Sequence, residues 1–341
     1  HQQPTPSPPH KEQNTMLNVG IVGLGRLGGT HANIIAALPD AKLTAVYDPK
    51  PEAAQLGKEK YGMAIMGSAQ ELVNSPEVDA VCVASPTYCH IEAVLPALQA
   101  GKPVFCEKPV CRTWAEAEQM LAAEAKSKSR VAVGFVRRFH PGQQKFVELV
   151  RDGLVGRLRF CNVDLVVGVF KRLPGDWFAD FQLSGGVILD MLAHHLDLLN
   201  WSFGAPARVY CESLLLAPSL PEPNDYASAT LTYKNNVICN ILCGWQRFGR
   251  SANCYEIYGD NGSLTYSWGA KHIVHFPKGG EKQEIAFEAT DESPYATEIK
   301  SWLACIAAGT PPKVTLQDGV DSLRIALAMI TSSQEKRLIH L

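Results

Sequence analysis

Asn18-Val19-Gly20-Ile21-Val22-Gly23-Leu24-Gly25-Arg26-Leu27-Gly28 is a short apolar run that breaks into three spaced glycines. A helix-compatible segment follows, and a second apolar run, Leu43-Thr44-Ala45-Val46-Tyr47, then ends in Asp48. Each residue type has a physical reason to be there. Gly23 lets the chain turn sharply off a strand, Gly25 removes the Cβ that would block a pyrophosphate, and Gly28 lets a helix pack closely on the sheet. Arg26 and Leu27 open that helix, whose first N–H groups lack partners and face phosphate oxygens. Asp48 stands 20 residues past Gly28, where a carboxylate accepts the ribose hydroxyls of an adenosine and repels a 2′-phosphate. The stretch predicts a strand–turn–helix–strand unit that binds a dinucleotide. The acid favours NAD, and Arg26 and Lys50 keep NADP as the alternative.

Working outward, residues 17–139 alternate apolar strands with helices. Strands are expected at Val19–Val22, Leu43–Tyr47, Ala80–Ala84, Val104–Cys106 and Val131–Phe135, apolar on both faces as in a parallel sheet covered by helices. This is an α/β class reading, an N-terminal Rossmann, doubly wound sheet with its ligand crevice at the strand C-termini. Residues 140–341 change rhythm to an α+β domain with a large, mostly antiparallel sheet. A long β run is expected at Leu158–Val169, a helical stretch at Gly186–Trp201, and successive strands between residues 207 and 288. Helices at Pro294–Ala308 and Leu316–Lys336 close the chain. Residues 1–16 are rich in proline and polar groups and are expected to be a disordered tail or an expression remnant.

Composition narrows the function classes. The chain has 341 residues, 46% hydrophobic and 19% charged, with Lys+Arg 32 against Asp+Glu 34. That balance offers no basic field for nucleic acid, and no apolar run reaches the ~18 residues of a membrane span. The 10 cysteines form no metal-ligand spacing and are expected to be reduced thiols of a cytoplasmic enzyme, with no metal.

Two further segments carry chemistry. Pro103-Val104-Phe105-Cys106-Glu107-Lys108-Pro109 ends a strand and sets Lys108 at the sheet edge beside the crevice, with a proline that permits a cis bond. In Ser184-Gly185-Gly186-Val187-Ile188-Leu189-Asp190-Met191-Leu192-Ala193-His194-His195-Leu196-Asp197, a continuous helix would project Asp190 and His194 from one face as an i, i+4 pair. A carboxylate beside an imidazole can orient it for proton transfer. Asp197 is placed to be a supporting partner or a structural cap.

With these segments quoted, the chain resembles the Gfo/Idh/MocA oxidoreductases, the glucose–fructose oxidoreductase and inositol dehydrogenase group, from Leu17 nearly to Leu341. The markers are Gly23-x-Gly25-x-x-Gly28, Ser85-Pro86-Thr87-x-x-His90, Ala100-Gly101-Lys102-Pro103, Glu107-Lys108-Pro109, Gly134-Phe135-x-Arg137-Arg138-Phe139, Gly185-Gly186-x-x-x-Asp190-x-x-x-His194-x-x-Asp197 and Tyr258-Gly259-x-x-Gly262. The resemblance implies reversible NAD(P)-dependent oxidation of a secondary hydroxyl on a cyclitol, sugar or sugar derivative. Lys108 would hydrogen-bond the reacting hydroxyl, and His194, oriented by Asp190, would take its proton. Ser85, Pro86, Thr87 and His90 would line the ribose and nicotinamide, with Glu107 nearby. Arg137 would lie near substrate or in structural salt bridges, while Lys171, Trp177 and His195 are further substrate candidates. Two places depart from the family pattern, Trp177-Phe178 where many members have Trp-Arg and Ser184-Gly185-Gly186 where a triple glycine is usual. The insert Lys171-Arg172-Leu173-Pro174-Gly175 falls where substrate-specific contacts are expected. The family also implies a homodimer or homotetramer through the second-domain sheet. Other readings are a sugar oxidoreductase or glycoside-processing enzyme that retains NAD(P) tightly, and a redox-silent NAD-binding sensor.

Overall fold

Strands that are apolar at every position, rather than at alternate ones, need helices on both faces. The computed structural model describes residues 16–167, 176–216, 224–245 and 253–341. In it β1 (Leu17–Val22) leads through α1 (Arg26–Ala36) to β2 (Ala41–Tyr47), and α2 (Pro51–Tyr61) to the two-residue β3 (Ala64–Ile65). Next, α3 (Ala69–Asn74) leads to β4 (Ala80–Val83), α4 (His90–Gln99) to β5 (Val104–Glu107) and α5 (Trp114–Lys126) to β6 (Val131–Gly134). These 6 strands make one parallel sheet in the order β3-β2-β1-β4-β5-β6. Both faces of its centre are covered, since Val81, Cys82, Val83, Val104, Phe105 and Cys106 are all buried. The strand order reverses at β1, which puts the ligand crevice beyond the C-terminal ends of β1 and β4. Only β3 was not expected, because two residues carry no periodicity.

The second half begins with α6 (Pro141–Arg151) and β7 (Leu158–Val166), followed by the short helices α7 (Phe181–Ser184) and α8 (Gly186–Asp190) and by α9 (Ala193–Phe203). After them come β8 (Pro206–Leu214), β9 (Tyr226–Tyr233), β10 (Ile238–Gly244), β11 (Cys254–Gly259), β12 (Gly262–Ser267), β13 (His272–Pro277) and β14 (Gln283–Ala286). Two helices, α10 (Pro294–Ala308) and α11 (Leu316–Glu335), and the short β15 (Ile339–His340) complete the chain. The 9-stranded sheet runs β14-β13-β12-β11-β7-β10-β9-β8-β15. Among the described residues β7 and β10 pair parallel and every other neighbour pairs antiparallel. Alternation sets its two faces. Cys161, Val163, Leu165, Leu231, Ile241 and Cys243 are buried, while Arg159, Ser228, Thr230 and Asn240 are exposed.

The structure departs from the sequence reading at two places that matter for function. The helical stretch expected at Gly186–Trp201 is divided into α8 and α9. Met191 N and Leu192 N both donate to Val187 O, at 3.1 and 3.2 Å, so an extra residue enters the turn. The i, i+4 stacking of Asp190 and His194 is thereby lost. The second is in α10, which reaches back to the parallel sheet, where its Ile299, Trp302 and Leu303 pack with Val19, Ile21 and Phe105. The expected strand end at Val169 and the insert with Lys171 lie outside the described residues.

Candidate active site

The glycine turn fits a dinucleotide on its own geometry. Gly23 has φ 87°, and a Cβ there would sit 2.5 Å from Ser85 N. A Cβ on Gly28 would collide with Gly23 O, so the helix packs against the turn only because that atom is missing. Gly25 differs, since a Cβ there would meet nothing within 4 Å. Its bareness serves no contact inside the protein and leaves room for a ligand. Gly25 also gives α1 no side-chain cap, so the first-turn N–H groups, at exposed Arg26 and half-buried Leu27, are left for an anion. Asp48 secures this turn to the end of β2, accepting from Leu24 N at 2.8 Å and Lys50 N at 2.9 Å. Across the crevice, beyond β4, buried Ser85 Oγ has no partner among the described residues, a hydroxyl still to be satisfied. Pro86 is half-buried and Thr87 buried in the turn that follows.

At the end of β5 the two sheets meet. Lys108, joined to Pro109 by a cis peptide, donates from Nζ to Asp190 O at 2.9 Å and to Asp190 Oδ1 at 3.2 Å. The Asp190 carboxylate therefore serves Lys108, which corrects the expectation that it orients His194. Two of three ammonium donors are used, leaving one for a substrate oxygen. His194 packs edge-on against Phe135 at 5.9 Å. It opens on a cavity of about 770 Å³ that Arg137, His140, Trp268 and Tyr295 also line. Burial, reinforced by the charges of Lys108 and Arg137, holds the His194 pKa well below the usual 6.5. The imidazole is neutral at pH 7 and free to accept a proton. Arg137 lies over the Trp268 ring with Cζ 4.4 Å from its centroid, and Trp268 packs on His140 at 4.6 Å.

The glycine turn after β1 and the six-stranded parallel sheet behind it are those of a dinucleotide-binding unit, and comparison with known proteins agrees. Residues 17–135 match the model for the oxidoreductase family with NAD-binding Rossmann fold, and residues 143–265 match the GFO/IDH/MocA C-terminal domain. The chain belongs to the Gfo/Idh/MocA oxidoreductase family. It is 28% identical over 335 residues to myo-inositol 2-dehydrogenase of Thermotoga maritima, covering 95% of this chain and 98% of that one. It is also 28% identical to inositol 2-dehydrogenase of Rhizobium meliloti, over 95% of this chain and 99% of the relative. Among solved structures, that of a myo-inositol dehydrogenase of Sinorhizobium meliloti, described as putative, superposes with TM-score 0.78 at 25% identity, covering 95% and 99% of the two chains.

Several residues expected at the site of this family member point elsewhere. His90 is buried, with Nε2 2.9 Å from Ser85 O and Nδ1 3.3 Å from Val110 O, so it braces the loop carrying Ser85 and does not face the crevice. Glu107 is buried and turned to His31, its Oε1 2.7 Å from His31 Nε2. His195 packs into the core of the large sheet, its Nδ1 bonded to the Tyr255 hydroxyl, because the turn after α8 carries it away from the cavity. Trp177 stacks on Phe178 at 3.8 Å and meets Tyr88 at 6.2 Å, at the edge of the crevice and not in the His194 cavity. Asp197 is the partner of Arg138, whose guanidinium takes both its oxygens at 2.9 and 2.6 Å and Asp318 Oδ1 at 2.8 Å. Burial opposes the Arg138 charge, but the two carboxylates outweigh it and raise its pKa. Sequence reasoning missed Trp268, Tyr295 and His140. Trp268 follows β12, His140 precedes α6 and Tyr295 lies in the first turn of α10, and nothing in alternation shows which edge folds over the cavity.

Proposed function

We propose that this chain is an NAD-dependent dehydrogenase that oxidises a secondary hydroxyl of a cyclitol or sugar. The observation that carries the reading is Lys108 held on Asp190 across the seam, with a neutral His194, near enough to feel the Lys108 charge, opening on a cavity. Lys108 Nζ donates its remaining N–H to the substrate oxygen and stabilises negative charge as the hydroxyl proton leaves. His194 accepts that proton, which its lowered pKa permits throughout the neutral range. Asp190 fixes the ammonium, and Arg137 and Tyr295 bound the cavity where the remaining hydroxyls lie. NAD, bound along the Gly23–Gly28 turn, Asp48 and Ser85, supplies the hydride acceptor.

The relatives named as inositol 2-dehydrogenases support a cyclitol as first substrate to try. The experiment is a screen of NAD and NADP reduction over inositols, aldoses and glycosides, run beside K108A. Turnover of a polyol with NAD, lost in K108A, is the expected result. A K108A enzyme with near-wild-type turnover overturns the assignment. Cofactor that stays bound through purification, without net reduction, favours the tightly retained NAD(P) reading.

The same proposal takes residues 17–139 as the cofactor unit and 140–341 as the substrate and assembly unit, with the large sheet's outer face, where Tyr210, Ile238, Tyr258 and Phe276 are exposed, as the contact of a homodimer or homotetramer. It places the enzyme in the cytoplasm, a reading supported by the 10 cysteines, none of which forms a disulfide among the described residues.

A further inference from the structure

Beneath Lys108 lies a buried polar chain that the reaction as described does not use. His31 projects from the interior of α1, the helix whose N-terminus faces the crevice, and is 0% exposed. Its Nε2 lies 2.7 Å from Glu107 Oε1, and the other carboxylate oxygen, Oε2, accepts Lys108 N at 3.1 Å. Glu107 pairs with Gly134 on β6, where a Cβ would come within 2.9 Å of Oε2, so the bare backbone of Gly134 makes space for the carboxylate. The imidazole is held edge-on by Phe105 at 5.1 Å and Tyr295 at 6.0 Å. Glu298, one turn beyond Tyr295 on α10, is buried in the same interior, and burial and then the nearby Glu107 hold its pKa well above the usual value. As a neutral acid it adds no second negative charge to compete for His31.

We propose that His31 is a positioning residue for the reaction: through Glu107 it holds the Lys108 backbone at a fixed place relative to the helix that carries the cofactor turn. Lys108 is then fixed at both ends, its N–H by Glu107 and its Nζ by Asp190. The placement is economical in degrees of freedom. A lysine side chain has four rotors, and anchoring only the ammonium leaves the backbone free to follow the loop before Pro109. A bond from α1 ties that backbone to the element that sets where the cofactor lies, so both partners of the reaction share one reference. Burial explains why the tie holds, since a hydrogen bond to a carboxylate inside the protein has no water to compete with it.

The inference rests on Lys108 as the group beside the reacting oxygen, and its test has a readout independent of turnover. H31L removes the donor, H31N is too short to reach Glu107 and serves if H31L does not fold, and H31Q places an amide N–H near the position of Nε2. The expected result is a kcat about 10-fold or more lower in H31L or H31N, with KM for the polyol little changed and most of the loss restored in H31Q. E107Q shows a similar loss, and the H31L/E107Q double variant is no worse than E107Q, as residues acting in one chain require. Without cofactor, acylation of Lys108 followed by mass spectrometry is faster in H31L than in wild type, because the backbone anchor is gone. Wild-type kcat and labelling rate in H31L, with only a lower melting temperature, would overturn the proposal and leave His31 a packing residue. If the wild type oxidises no polyol, the functional reading fails, and the labelling rate alone decides the role of His31.

Discussion

Two ion pairs bridge the seam between the sheets, and they have opposite fates. Lys108–Asp190 and Arg138–Asp197 each join a residue from the end of a parallel-sheet strand to a residue at the start of the second half. Arg138 is closed. Its donors take both oxygens of Asp197, whose side chain is 1% exposed, then Asp318, and its plane lies 5.5 Å from the Trp201 ring. Lys108 is open, with side chains exposed by 13% and 18% in the pair and one ammonium donor unspent. Both motifs look alike in sequence, a cation after a strand and an acid on a distant helix. What separates a structural pair from a chemical one is the charge balance, since Arg138 is shared between two carboxylates, Asp197 and Asp318, whereas Lys108 faces one, Asp190.

That difference is broken most forcefully at Arg138. In R138A, Asp197, whose pKa burial raises to about 6 even beside Arg138, loses its partner and takes up a proton in the interior. Stability falls by about 3 kcal/mol, read by denaturant unfolding. Turnover per folded molecule stays close to wild type, because the Arg138 charge is spent on Asp197 and Asp318. K108A gives the reverse pattern. Loss of a donor aimed at developing negative charge lowers kcat by about 10²–10³-fold. Stability falls by less than in R138A, since Asp190 borders the crevice and can turn to water. Should K108A unfold while R138A loses turnover, the two pairs have been assigned the wrong way round.

The contrast also explains what could be read from the chain alone. The parallel sheet was legible because its strands are apolar on both faces, and the antiparallel sheet because its residues alternate. Lys108, Asp190 and His194 could be singled out because each sits in a short motif at the end or start of an element. Their wiring was not legible. It depends on one extra residue in the turn at Met191-Leu192, a feature with no sequence signature, and that residue gives the Asp190 carboxylate to Lys108 in place of His194. Likewise His90, Glu107 and His195 are polar residues in the right motifs whose side chains turn inward, towards Ser85 O, His31 and Tyr255. Motif position fixes where a backbone runs, but the direction of a buried side chain is settled by which partner lies within hydrogen-bond reach across the fold. His31 shows the converse, a histidine on the buried face of α1 that periodicity would have assigned to an apolar residue.

The subtlest test compares Arg137 with its neighbour Arg138. Arg138 is consumed by carboxylates, whereas Arg137 lies on Trp268 at the cavity wall and depresses the pKa of His194 together with burial and Lys108. The sign follows directly. A positive neighbour disfavours the imidazolium, so His194 stays in its proton-accepting form to lower pH than a free histidine. Replacing Arg137 with methionine keeps the contact with Trp268 but removes the charge. The His194 pKa then rises towards 6.5, and the acid limb of the kcat–pH profile moves to higher pH while the plateau above it changes little. Burial, the largest of the three causes, is untouched, so the limb remains below the ordinary histidine value. An acid limb that stays in place in R137M would show that His194 is not the group whose protonation stops turnover. The proton acceptor would then have to be sought elsewhere along the cavity wall, with His140 the first to examine.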